Sequence, residues 1–187
     1  MIKYQMSFVE HPVSNCYQTR VVTPFDVYQL VHGPRYADET MTLRSLATEE
    51  EQRTYKQANL DAILSGGVFS YTNDNSMIKA SGLVCLDLDD IDDVEALKQK
   101  LLNDKLFDTI LLFRSPRGRG LKWFIGADLT KCDYRQWYMS VRNYLMKTYG
   151  LTEKQVDPLC ANPSRRCWLC HDIDVYLRTD LIENFSI

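Results

Sequence analysis

The pattern of apolar residues between positions 83 and 171 predicts alternating strands and helices, and it constrains the fold more than any other feature. Short apolar runs indicate strands, and apolar residues at helical spacing after an Asp indicate helices. The predicted elements are, in order, a strand at 83–88, a helix from Asp92 or Asp93, strands at 109–113 and 121–125, a helix at 133–149 and a strand at 166–170. This β-α-β-β-α-β order is that of the split βαβ, or ferredoxin-like, unit. We therefore expect an α/β (α+β) fold with a ferredoxin-like core at about residues 83–171.

The sheet order expected for this unit is 4-1-3-2, with the first and third strands as antiparallel neighbours. The end of the first strand, at Asp87 and Asp89, should then meet the start of the third strand, at Lys122. The end of the second strand and the start of the fourth, at Arg165 and Arg166, should lie at the same edge. Four separate motifs are thus predicted to converge on one end of one sheet.

The first 80 residues predict a smaller α/β module that belongs to the same single domain. Thr23-Pro24 and Thr48 are typical helix starts, and residues 4–9, 18–22 and 68–71 have strand character. The domain is therefore expected to span all 187 residues, with an N-terminal module at 1–80 and the core at 81–187.

Asp87 and Asp89 predict a divalent-metal site. Side chains at i and i+2 share one face of a strand, so the two carboxylates should lie close together after an apolar run. Mg²⁺ or Mn²⁺ would relieve their repulsion and prefers such oxygen ligands. The alternative is that these residues only cap the following helix.

The segment Ser115-Pro116-Arg117-Gly118-Arg119-Gly120, here called the basic loop, predicts phosphate binding together with Lys122. Glycines let backbone amides approach a phosphate, and the cations complement its charge. The alternative is an ordinary hairpin turn.

A third motif joins Asp157 to Arg165 and Arg166. Asp157 could supply another metal-binding carboxylate, and either arginine could hold a triphosphate or a nucleic-acid backbone. Asp157-Pro158 is equally typical of a turn.

The charge distribution supports a polyanionic ligand. Residues 1–113 carry 10 Lys or Arg against 17 Asp or Glu, whereas residues 114–178 carry 12 against 6. A basic half beside an acidic cluster suits a polyanion held next to a metal.

The six cysteines predict reduced thiols, because the sequence has no signal peptide and no apolar run long enough to cross a membrane. We expect a cytoplasmic protein without a membrane partner. A zinc site at Cys160, Cys167, Cys170 and His171 stays open as an alternative to buried thiols. Cys167–His171 also fits the haem c attachment pattern, but that chemistry requires export.

Three of these motifs, in this order, resemble the archaeo-eukaryotic primase (prim-pol) superfamily. The similarity is greatest to the primase-like domain at the front of VirE-type proteins from Bacteroidetes mobile elements. It rests on four segments, namely Tyr55-Lys56 through Gly67-x-Phe69, SGLVCLDLDD, SPRGRGLKWF, and residues 157–174 with their Ser-Arg-Arg.

The resemblance implies a ferredoxin-like (RRM-like) catalytic core behind an N-terminal α/β module. It implies that Asp87 and Asp89 bind the catalytic metals and that Asp157 completes the metal site. The segment from Ser115 to Lys122 would contact the phosphates of a nucleoside triphosphate. Lys122 stands where the superfamily has a histidine, which puts efficient polymerisation in doubt.

The sequence therefore predicts a metal-dependent nucleotidyltransferase that acts on nucleic acid, DNA in preference to RNA, in replication of a mobile element. A helicase or other replication protein would be a further partner. One alternative is a catalytically inactive nucleotide- or nucleic-acid-binding module. Another is a phosphatase of the haloacid dehalogenase kind, because LDLDD is similar to the first motif of that family.

Overall fold

Two four-stranded antiparallel sheets dominate the computed structural model, which describes residues 4–183. A two-stranded sheet, six α-helices and three short 3₁₀ helices complete the described part, so the predicted α+β class is confirmed. The strands are β1 (Met6–Val9), β2 (Arg20–Val22), β3 (Ala62–Leu64), β4 (Gly67–Phe69), β5 (Met77–Ala80), β6 (Leu83–Leu88), β7 (Thr109–Arg114), β8 (Leu121–Gly126), β9 (Arg166–Trp168) and β10 (Tyr176–Leu177). The helices are α1 (Pro24–His32), α2 (Ala37–Ser45), α3 (Glu49–Asn59), α4 (Val94–Leu102), α5 (Tyr134–Tyr149) and α6 (Asp180–Glu183).

Helix ends follow the capping residues that the sequence displays. Thr23, Thr48 and Asp133 each form a capping box, in which the side chain accepts a bond from the third helical residue and that residue's side chain accepts one in return. Asp93, one of the two predicted candidates, caps α4. Gly150 ends α5 with a φ of 72°, a left-handed conformation that glycine adopts without steric cost.

The sheet that carries the first three core strands has the order β10-β7-β8-β6. Its central register confirms the predicted antiparallel pairing of the first and third strands, because Asp87 lies opposite Lys122 and Leu88 opposite Leu121. The basic loop connects β7 and β8 as a hairpin at the same end of the sheet.

The predicted position of the fourth core strand was wrong. β9 does not pair with β6 but joins the other sheet, β2-β1-β3-β9, where Cys167 lies opposite Ile63. Residues 155–157 cover the free edge of β6 instead, because Asp89 donates its backbone N–H to the Gln155 carbonyl (2.9 Å) and Asp157 donates to the Asp87 carbonyl (3.3 Å). These bonds satisfy edge groups that a fourth strand would otherwise have paired. The fourth strand of this sheet is β10, at the opposite edge.

Alternating side chains divide the core into two layers. Leu86, Leu88 and Trp123 pack against α4 and α5 on one side of the sheet. Cys85 and Phe124 pack on the other side, in the cluster that also includes the second sheet. Asp87 and Lys122 alternate in phase with Cys85 and Phe124, so they face the space between the two sheets. No helix among residues 4–183 is long and apolar enough to cross a membrane.

Candidate functional site

An ion pair between Asp87 and Lys122 lies at the centre of the site. The Lys122 ammonium contacts the Asp87 carboxylate, and their side chains are 6% and 16% exposed. Burial lowers the pKa of Lys122, but the nearby Asp87, Cys167 and Asp89 together raise it by more, with Asp87 the largest of these, so the net shift is upward. Lys122 is therefore a charged ammonium throughout the neutral pH range. The Asp87 carboxylate is thus already neutralised by a lysine of the same protein.

Asp157 lies beside Asp87, as the third motif predicted. The Cys160 Sγ atom is 3.7 Å from Asp87 Oδ2 and 3.8 Å from Asp157 Oδ2, so the two carboxylates flank one sulfur atom. The Tyr138 hydroxyl donates to the Asp157 carbonyl at 2.5 Å and fixes this segment against α5. Burial raises the pKa of the Cys160 thiol, and the Asp87 charge raises it further, so Cys160 stays protonated between the two acids.

Asp89 lies one residue beyond β6 and has a different cationic partner. Arg117 places one guanidinium nitrogen 3.6 Å from Asp89 Oδ1 and another 3.5 Å from Glu49 Oε1. Arg119 binds Glu49 at 2.9 Å and Asp90 at 3.3 Å. The basic loop is thus held against the acidic first turn of α3. The two acids of the predicted metal pair are each bound to a separate cation.

The local geometry explains why both of these loop positions, Gly118 and Gly120, are glycine. A Cβ atom on Gly120 would lie 2.0 Å from the Leu88 carbonyl oxygen, so only glycine fits this close approach of β8 to β6. Gly118 has a φ of 79° and a backbone N–H that donates to the Ser115 carbonyl at 2.8 Å, as in a tight turn. The phosphate-binding role of these two residues stays a prediction.

Arg44 of α2 holds the basic loop from outside. Its guanidinium donates to the Pro116 carbonyl at 3.1 Å and to the Ser115 carbonyl at 3.3 Å. The Ser115 side chain itself is buried, and its Oγ atom has no hydrogen-bond partner within the described residues. A buried hydroxyl without a partner is costly, which makes Ser115 a candidate donor to a ligand.

Arg165 and Arg166 reach the same cleft although β9 belongs to the other sheet. Arg165 is 3.8 Å from Asp157 Oδ2, and both arginines line a small cleft together with Asp87 and Lys122. Arg166 donates through Nη2 to the Asn15 carbonyl, whereas its buried Nη1 has no partner among residues 4–183. The predicted convergence of the motifs is therefore found, but the two sheets provide it jointly.

Sequence reasoning missed the contribution of α3. Lys56 lies near Asp87, Lys122 and Arg117. Desolvation and the positive charges of Lys122 and Arg117 lower the pKa of Lys56 to about 8. Arg53 lies about one helical turn earlier and lines a surface cavity together with Lys56 and Arg117. Residues three apart share one helix face, so the pair Arg53 and Lys56 was the available signal.

The four residues of the alternative zinc set do not meet. Among residues 4–183, no group of three or more His, Cys, Asp or Glu side chains is placed to hold a metal ion. Each member has its own contact, namely Cys160 with the two acids, Cys167 with Cys85 Sγ at 3.9 Å, Cys170 with the Arg114 carbonyl at 3.1 Å and His171 with the Gly33 carbonyl at 3.0 Å.

One protein-family model matches more than half of this chain. The model of the BT4734-like N-terminal domain family matches residues 55–177. The chain belongs to the BT4734-like N-terminal domain family. Within this family match lie β6, the basic loop, Asp157, Arg165 and Arg166, together with Lys56 from α3. Searches of curated proteins and of solved structures found no match.

Proposed function

We propose that this BT4734-like domain is a metal-dependent nucleotidyltransferase of the primase or primase-polymerase type that acts in replication of a mobile element. One observation carries the proposal. The Cys160 sulfur atom lies within 3.8 Å of both the Asp87 and the Asp157 carboxylates, and Asp87 lines a cleft together with Lys122, Arg165 and Arg166. A pair of carboxylates surrounded by cations suits a metal ion with the phosphates of a nucleotide.

The donor chemistry fits Mg²⁺ or Mn²⁺. Mg²⁺ is commonly held by one or two carboxylates together with substrate phosphates, so a complete cage of protein ligands is not required. Asp87 and Asp157 would hold the metal, whereas Asp89, the third carboxylate of the predicted set, is bound to Arg117 and is not grouped with them among residues 4–183. A bound metal would activate a 3′-hydroxyl and stabilise the leaving pyrophosphate.

The cations of the site would bind and orient the phosphates. Lys122 has three N–H donors and a raised pKa, so it can hold a phosphate as a permanent point charge while it neutralises Asp87. Ser115 offers a buried hydroxyl without another partner. Arg117 and Arg119, now bound to exposed Glu49, can exchange that carboxylate for a phosphate at little cost.

The second candidate is a nucleotide- or nucleic-acid-binding module without catalysis. The ion pair of Lys122 with Asp87 favours it, because an ammonium in contact with the carboxylate competes with a metal ion for the same oxygen atoms. In this module the arginines and Lys122 would still bind phosphates, and metal would not be required.

A nucleotide-incorporation assay separates the two candidates. Primed and unprimed DNA and RNA templates are supplied with Mg²⁺ or Mn²⁺, and nucleoside triphosphate binding is measured in parallel with and without EDTA. The test variants are Asp89→Asn and Asp157→Asn, which leave the buried Asp87–Lys122 pair intact. The matched control is Asp92→Asn with Asp108→Asn, two exposed acids without an ion pair among the described residues.

If the domain is a nucleotidyltransferase, nucleotide incorporation should require the metal. Each test variant should then reduce the incorporation rate by at least about tenfold, which corresponds to roughly 1.4 kcal/mol in the activation barrier. Triphosphate binding in EDTA without any incorporation would support the binding module. Burst formation of an aspartyl-phosphate from a generic phosphate ester would support the phosphatase instead.

A further inference from the structure

A groove runs outward from the cleft along α3. Its cavity of about 460 Å³ shares Arg165 and Arg166 with the cleft that holds Asp87. It shares Arg53 and Lys56 with a second cavity, of about 300 Å³, that reaches Arg117. The first cavity is called the α3 groove here. It is defined by Arg53, Lys56, Arg165, Arg166 and Trp168.

The α3 groove carries positive charge, and among its cations only Arg165 has an ion pair within the described residues, with Asp157 at 3.8 Å. Four of its lining residues are cations and none is an acid. Arg53 and Lys56 form no ion pair with any residue in the described range 4–183. The pKa of Lys56 is lowered by desolvation and by repulsion from the nearby charges of Lys122 and Arg117, which agrees with a crowded group of cations. A groove of this charge attracts a polyanion.

Aromatic rings accompany the charges. Lys56 Nζ and Arg166 Cζ each lie 5.8 Å from the centre of the partly exposed Trp168 ring. Thr72, which also lines the groove, donates to the Cys16 carbonyl at 2.7 Å. The residues next to these two are Tyr71 and Tyr17, which form an edge-to-face pair with ring centres 5.1 Å apart and exposures of 40% and 70%. Exposed aromatic rings beside cations are typical of surfaces on which unpaired bases stack.

We infer that the α3 groove binds single-stranded nucleic acid and leads the strand towards the Asp87–Asp157 cleft. The inference deepens the proposed function. Binding of the strand in the groove does not depend on that function, but the direction of the strand towards the cleft does. Cations alone would also fit an acidic peptide, but such a peptide gives the aromatic rings no bases to stack on. A duplex has its bases paired and stacked, so the groove should prefer a single strand.

Fluorescence anisotropy with a labelled oligothymidylate tests the groove. The test variants are Arg53→Gln with Lys56→Gln, and Trp168→Leu. The matched controls are Arg135→Gln with Lys147→Gln, exposed cations on α5, and Trp137→Leu on the same helix. A duplex of the same length and a poly-glutamate peptide are the competitors.

We expect the double cation variant to bind the oligonucleotide at least about tenfold more weakly and to lower the salt slope by about 1.4, at roughly 0.7 per lost cation on a single strand. Trp168→Leu should weaken binding about fivefold, the equivalent of roughly 1 kcal/mol of stacking. The controls should bind like the wild type, and the duplex should compete poorly. Equal losses in the test and control variants would overturn the inference, as would poly-glutamate competition as strong as that of the oligonucleotide.

The two proposals can fail separately. Loss of oligonucleotide binding in the groove variants of a protein that incorporates no nucleotide would support the groove and overturn the catalytic proposal. Undiminished oligonucleotide binding in groove variants of a protein that does incorporate nucleotides would overturn the groove alone. Asp89→Asn should keep the oligonucleotide bound, because Asp89 neither lines the groove nor forms an ion pair with a residue that does.

Discussion

Removal of Lys122 should destabilise the domain strongly. In Lys122→Met the Asp87 carboxylate, which is 16% exposed, loses the cation that contacts it. An uncompensated buried charge typically costs about 3–5 kcal/mol in the free energy of unfolding. Because domains of this kind have roughly 5–15 kcal/mol in total, the change would be a large part of the stability.

Urea unfolding at pH 7 measures this loss directly. The matched control is Lys131→Met, which breaks an ion pair with Asp128 whose side chains are 76% and 44% exposed, and it should change stability by no more than about 1 kcal/mol. The double variant Lys122→Met with Asp87→Leu should recover most of the loss, because two apolar side chains replace the whole pair.

The pH dependence gives a second measurement on the same ion pair. The folded pKa of Lys122 is raised above its unfolded value of about 10.4, so the stabilising effect is fully present below that pH and is lost only above it. The difference between wild type and Lys122→Met should therefore stay constant from pH 7 to 9. If Lys122→Met costs no more than Lys131→Met, the reasoning about the buried ion pair is refuted.

Three further predictions concern the surroundings of the cleft. Lysine Cε NMR should show Lys56 titrating near pH 8, because desolvation and nearby cations lower its pKa, and pyrophosphate should raise that value; titration above pH 10 would contradict this. Arg44→Met should speed amide exchange in the basic loop by about tenfold, because two hydrogen bonds worth roughly 0.5–1.5 kcal/mol each are lost, and unchanged exchange would count against this. In urea unfolding, Gly120→Ala should cost more than about 3 kcal/mol, because its Cβ would lie 2.0 Å from a carbonyl oxygen. Gly150→Ala, with no atom within 4 Å, should cost only about 1–2 kcal/mol, and similar costs would reject the steric argument.

Local patterns predicted the centre of the fold correctly. Leu83–Leu88 is a strand with the predicted bounds, and the alternation along β8 places Lys122 and Trp123 on opposite faces. Strand period and helix capping act over a few residues, so a single sequence contains the necessary information. The opposition of Asp87 and Lys122 followed from that period and from the antiparallel order.

The partner of the last core strand was the part that the sequence could not determine. β9 has three residues and lies opposite β3 rather than β6, because Asp157 and its neighbours already cover the β6 edge. A strand this short carries little register information, so its partner depends on which edge stays free. β3, β5, β10, α2 and α6 were also missed. The three strands and α6 have only two to four residues each, and α2 has little apolar periodicity.

The pairing of β9 with β3 is also what gives the site its second wall. Because β9 joins the sheet of β1, β2 and β3, Arg165 and Arg166 reach the cleft from a different sheet from the one that carries Asp87 and Lys122. The same pairing sets Trp168 beside Lys56 of α3. A fourth strand on β6 would have kept these side chains at the edge of one sheet and left α3 apart from them. The candidate nucleotide cleft and the α3 groove therefore depend on one topological feature, the crossing of β9 from one sheet to the other.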